Sequence, residues 1–194
     1  MAMKKISYLS WILLPLAGLL IMSFHNKKGF EIPLSKIDTE VVKLMNTKSS
    51  QLVELTKPIP GFEGASLFSI EQEGHPMGYV LVNRVESCRA GGCDASISID
   101  QQPFEFFDYF MILSLQGEVL RVRIFNYQAT RGHEVMSKGW LRQFVGIRPH
   151  QELTVGDEIQ AISGATISAR AITADIVSQT TSLGDYLSDP LSQR

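Results

Sequence analysis

Two cysteines and four histidines are few for a chain of 194 residues. His25, His75, His133 and His150 are scattered with no spacing that favours a metal, and Cys88 with Cys93 offers too few ligands for a metal or cluster. Paired carboxylates, a nucleophile elbow and a nucleotide-type glycine loop are all missing, so the sequence does not read as a hydrolase. The net charge is -2 and the pI about 6.1, so nothing points to nucleic acid. No internal repeat appears, and the length suits one globular domain with an appendage.

The appendage stands first. Lys4 and Lys5 precede Ile6–Phe24, an uncharged apolar run of 19 residues. About 20 apolar residues span a bilayer, so the run reads as a transmembrane helix, with His25, Asn26, Lys27 and Lys28 as its interfacial boundary. A cleaved signal peptide is the rival reading; its apolar region is typically about 7–15 residues and ends in a small-residue site, and no Ala-x-Ala follows here. Either reading sends the domain out of the cytoplasm. Lysines flank both ends, so orientation follows from the short amino-terminal tail more than from charge.

The expected organisation is an anchor over residues 1–28, a helical linker over 29–57, a compact domain over 58–183 and a loose tail over 184–194. Ile37, Val41, Val42, Leu44 and Met45 are spaced for one or two short helices, and Pro58-Ile59-Pro60-Gly61 stops them. Ser66–Glu71 and Met77–Glu86 read as a hairpin across Glu73-Gly74, and Phe106–Leu115 with Val119–Tyr127 as a second across Gln116-Gly117. The imperfect alternation of Val119, Arg121, Val122, Arg123 and Ile124 suits a sheet with one face partly wet. Helices are expected over His133–Phe144 and Ser168–Leu183. Trp140, Leu141, Phe144 and Val145 fall at helical spacing, as core or as an aromatic lid over a ligand. Strands grouped between helices give an α+β fold with a largely antiparallel sheet and flanking helices.

The most informative stretch is Ser163-Gly164-Ala165-Thr166, which precedes the apolar-periodic residues Ile167, Ala171, Ile172, Ile176 and Val177. Such a turn sits at or just inside a helix start, with Ser163, Thr166 and Ser168 as possible N-caps. A helix start presents unpaired N–H groups and the positive end of the macrodipole, which suits a phosphate. Gly164 and Ala165 let a bulky ligand approach the backbone. Read alone, the quartet is first of all an ordinary cap, because such residues dominate caps. Together with Met77-Gly78-Tyr79-Val80-Leu81-Val82, the Met111–Val122 hairpin and Gly139-Trp140-Leu141-Arg142-Gln143-Phe144-Val145-Gly146, it resembles the FMN-binding domain family over roughly Val41–Val177. That family includes the C subunit of the sodium-pumping NADH:quinone reductase and the G subunit of the Rnf electron-transfer complex.

The resemblance implies FMN held covalently as a phosphoester on Thr166, with Ser163, Gly164, Ala165 and Ser168 around it. It also implies a flavin transferase during maturation, redox partner proteins at the membrane, and a single-pass protein of the cell inner membrane with its domain outside the cytoplasm. Electron carrier is then a safer description than enzyme. The alternative is a non-flavinylated sensor or assembly subunit that keeps the fold. Three departures mark a divergent branch: Gln160 where the family signature has an acidic residue, Ala129-Thr130-Arg131-Gly132 for its Glu-Thr-Pro-Gly loop, and Cys88–Cys93 for its Gly-rich stretch. Arg121, Arg123 and Arg131 either face the flavin phosphate or face solvent. Outside the cytoplasm Cys88 and Cys93 are expected to pair as a disulfide, Gly91 and Gly92 giving the loop freedom to close. A structural staple and a redox-active pair both fit; the spacing is similar to that of the flavoprotein disulfide reductases.

Overall fold

A computed structural model of the protein describes residues 31–89 and 104–189, the side chains of residues 88 and 89 excepted. The expected anchor at Ile6–Phe24 and the Cys88–Cys93 pairing fall outside these described residues. Among the described residues, no helix is long and apolar enough to cross a membrane.

The centre is a five-stranded antiparallel sheet whose spatial order is the chain order, β1 (Gln51–Glu54), β2 (Ser66–Gln72), β3 (His75–Arg89), β4 (Phe104–Leu113) and β5 (Val119–Tyr127). The β2–β3 hairpin turns where expected. Glu73 (φ 52°) and Gly74 (φ 79°) are both left-handed, the combination that matches the twist of the strands they join. Gly117, at φ 78°, does the same work in the turn before β5.

The pleat sorts the side chains into two cores. On one face Phe68, Ile70, Val80, Val82, Phe110 and Ile112 pack under α1 (Leu34–Met45), which contributes Ile37 and Val41. On the other, Leu81, Val85, Phe107, Tyr109 and Met111 pack under α3 (Thr166–Ser188) through Ile172, Ile176 and Leu183. A carboxylate pins α3 there: Asp175 accepts from the Tyr109 hydroxyl at 2.7 Å and from Asn83 Nδ2 at 2.9 and 3.1 Å. The α1 face holds its own buried charge. Asp108, fully buried, receives Arg84 Nε at 2.7 Å and Asn126 Nδ2 at 2.7 Å.

Four readings of the sequence change. The stretch taken as a helical linker holds α1 but also β1, the edge strand on β2. The helix expected over His133–Phe144 is broken into a 3-10 turn (His133–Met136), α2 (Lys138–Leu141) and a second 3-10 turn (Arg142–Phe144). Ser137 makes the break: its backbone is extended (ψ 131°), and its side chain accepts the Trp140 N–H as a fresh cap. Trp140, Leu141 and Phe144 are buried as core, but Val145 is 46% exposed because the chain turns extended there. The last helix starts at Thr166 and runs to Ser188, five residues beyond Leu183.

Candidate functional site

The Ser163–Thr166 turn lies where α3 meets the end of the sheet that carries Ser87 and Tyr127. Both of its flanks are fixed. Upstream, Gln160 is clamped through its backbone: its carbonyl accepts the Trp140 indole N–H at 2.7 Å, and its N–H donates to Gln143 Oε1 at 2.8 Å. Gln143 in turn donates to the Trp140 carbonyl at 3.1 Å. Trp140 meets Phe144 edge-on at 5.3 Å, so the clamp rests on core. The side chain of Gln160 stays exposed. Downstream, Ser168 is 3% exposed, and its hydroxyl lies 2.8 Å from Ser87 Oγ and 3.1 Å from the Tyr127 hydroxyl.

Direction along this chain of hydroxyls follows from proton counting. Tyr127 has one hydroxyl proton and donates it to the Arg131 carbonyl at 2.6 Å, an atom that can only accept. Tyr127 therefore accepts from Ser168, and Ser168 from Ser87. Burial raises the Tyr127 phenol above its ordinary range, with Glu105 and Glu134 adding to this and the Ser168 contact opposing it, so the donor stays protonated. The loop after β5 is tied down in the same way. Glu105, 8% exposed, accepts from Thr130 N at 3.0 Å and Thr130 Oγ1 at 2.8 Å. Gly132 closes the contact: at φ 85° it lies so near α3 that a Cβ there would stand 2.6 Å from Ser168 Oγ and 2.9 Å from the Tyr127 hydroxyl.

Between the fixed flanks the residues are open. Ser163, Gly164, Thr166 and Ile167 are exposed, while Ala165 is buried and seats the turn. Gly164 has φ 80°, and nothing lies within 4 Å of the position a Cβ would take. The glycine is needed for conformation, and the space before it is free. No side chain caps α3: Ala165 occupies the N-cap position, so neither Ser163, Thr166 nor Ser168 serves as the cap expected. Thr166 is the first helical residue, where backbone N–H groups lack intrahelical acceptors. The first turn holds no acidic residue, and exposed Arg170 stands four residues after Thr166, hence on the same face. A cation so near a helix start opposes the macrodipole. An anion at Thr166 would reverse that cost.

These features fit an FMN phosphate: an accessible hydroxyl, a helix start without a side-chain cap, open space before a glycine, and a nearby cation. Two of the arginines considered from sequence lie elsewhere. Arg121 and Arg123 are on the α1 face, 3.3 and 3.6 Å from Glu40. Arg131 is exposed, and its carbonyl serves Tyr127. Ser87, Glu105, Tyr127, Gly132 and Arg170 were not singled out for the flavin site from sequence. Of these only Arg170 carried a local signal, its i+4 spacing from Thr166. Among the described residues no cluster of three or more His, Cys, Asp or Glu could hold a metal. No curated protein matches the chain. Residues 108–177, from β4 through the clamped turn into α3, match the family model of the FMN-binding domain.

Proposed function

We propose that this protein is a membrane-anchored flavoprotein that carries FMN as a phosphoester on Thr166 and passes electrons between redox partners outside the cytoplasm. The observation that carries the reading is the presentation of Thr166. Its hydroxyl is exposed on a turn whose flanks are bonded to α2, β3 and β5, so a transferase meets a fixed, accessible target. Ser168, the nearest other hydroxyl on the helix, is buried and committed to Ser87 and Tyr127. Ser163 is exposed but precedes the left-handed Gly164 and lies off the helix.

The first-turn amides of α3 and the Arg170 guanidinium would hold the phosphate, and Thr166 would supply the ester oxygen. Attachment forms a bond from Thr166 Oγ to phosphorus of an activated flavin nucleotide brought by the transferase. The bond from that phosphorus to its leaving group breaks, and the hydroxyl proton goes to the transferase. Bound FMN supplies one- and two-electron chemistry that no side chain here provides. The protein contributes tethering and orientation. Because a helix dipole contributes only about 0.3–1 kcal/mol to an anion, non-covalent retention would be poor, which gives covalent attachment its use outside the cytoplasm.

Intact mass after co-expression with a flavin transferase tests the assignment. Wild type, Ser163→Ala and Ser168→Ala are expected to gain one FMN less one water, and Thr166→Ala to gain nothing and be colourless. Flavin retained by Thr166→Ala would overturn Thr166. A colourless wild type would favour a sensor or assembly subunit that keeps the fold without the flavin.

A further inference from the structure

We propose that the outward face of His133 is the platform on which the isoalloxazine ring tethered at Thr166 docks, an inference that rests on the reading above. Three rings form a column at this end of the sheet. Phe107, fully buried on β4, stacks on Tyr127 with 5.3 Å between centroids and 13° between planes. Tyr127 meets His133 at 4.6 Å and 41°. The column begins in the core and ends at solvent, since His133 is exposed with one face toward Tyr127.

Two features make this end a site for a flat ring. Tyr127 cannot swing away, because its hydroxyl is bonded to the Arg131 carbonyl and to Ser168, so the platform is held from behind. The platform also lies beside the tether. Gly132, the residue before His133, abuts Ser168, and Ser168 is two residues past Thr166, about 3 Å along the helix axis. On this proposal the flexible chain carries the ring from exposed Thr166 round the first turn of α3 to His133. Aromatic rings prefer offset or tilted contacts at centroid separations of about 4.5–7 Å, the pattern the column already follows. The charged groups around it are Glu134 beside His133, Glu105 from β4 and Arg131 from the preceding loop. On this proposal His133 is a cofactor-binding residue, and its imidazole presents a ring face to the flavin.

The test uses the full-length flavinylated protein as wild type, His133→Ala and His133→Phe. Time-resolved fluorescence anisotropy of the flavin reports ring mobility, and the midpoint potential is measured on the same samples. The expected result is slow flavin depolarisation in wild type and His133→Phe, with a fast local component appearing in His133→Ala together with a shifted potential. Equal depolarisation in wild type and His133→Ala, whether fast or slow, would overturn the platform. Flavin attached at a residue other than Thr166 would fail the acceptor assignment alone, and the anisotropy comparison would still stand. If the wild type carries no covalent flavin, free FMN is titrated into wild type and His133→Ala. Emission quenching lost in the variant supports the platform, and equal quenching or none overturns it.

Discussion

Ser168 has one proton and two lone pairs, and the structure uses them to join three elements: β3 through Ser87, β5 through Tyr127, and α3, on which it sits. Its place two residues beyond Thr166 makes it the bolt behind the turn, and Gly132 is the gap the bolt needs. Gly132→Ala is therefore expected to lower stability by about 1–3 kcal/mol, since a non-glycine residue at φ 85° is strained and its Cβ would press on Ser168 Oγ. Thermal melting checks this. Gly164→Ala, with a similar φ but open space around it, should lose only the conformational part and melt between Gly132→Ala and wild type. If Gly132→Ala melts like wild type, the loop is not seated on α3. Little of this was readable from sequence. The Ser163–Thr166 turn shows itself because small residues precede a helical repeat, whereas Ser87 and Tyr127 reach Ser168 across separations of 81 and 41 residues. Strand register, not local pattern, brings those hydroxyls together.

A carboxylate also joins the sheet to α3. Asp175 faces Tyr109 and Asn83, with Gln179 one turn on at 3.4 Å. Burial drives the Tyr109 phenol well above its usual value near 10, and the Asp175 charge and hydrogen bond raise it further. The phenol thus keeps its proton in the folded state at pH values where the unfolded chain loses it. Stability from this pair is complete below about pH 10 and falls as pH rises through the higher folded value. Tyr79 and Tyr127 are raised too, each first by burial, so they add to the same alkaline loss. Tyr109→Phe is expected to cost about 1.5–3 kcal/mol at neutral pH through the lost bond to a charged group, and to flatten the decline above pH 10. Urea unfolding at pH 7, 9 and 10.5 measures both. An unchanged alkaline slope would mean that Tyr109 does not carry the effect. At this scale the sequence was more legible. Glu73-Gly74 declares a hairpin because both residues adopt positive φ, and α1 declares itself through Ile37 and Val41. β1 stayed hidden because it is four residues long and pairs with β2 alone. The break at Ser137 stayed hidden because Trp140, Leu141 and Phe144 are buried together whether the segment is one helix or three short turns.

For the molecule as a whole, the anchored reading makes a prediction about the mature chain. If Ile6–Phe24 stays as a membrane span, amino-terminal sequencing of protein from membranes will return the intact start, and salt washing will not release it. A mature start between Ser23 and Lys28 would instead make the domain a secreted one. The meander itself has a consequence for assembly in time. Because spatial order equals chain order, every strand pairs with its sequence neighbour, and the sheet can grow by closing one hairpin after another. α3 is different. It reaches back 92 residues from Asp175 to Asn83 and 81 from Ser168 to Ser87, the kind of non-local closure that comes late and slowly. Until that closure, Thr166 has no Ser87, Tyr127 or Gly132 behind it. If Thr166 is the acceptor, as proposed, presentation of its hydroxyl is tied to the last step of folding, and a transferase that reads the finished turn would leave half-folded chains unlabelled.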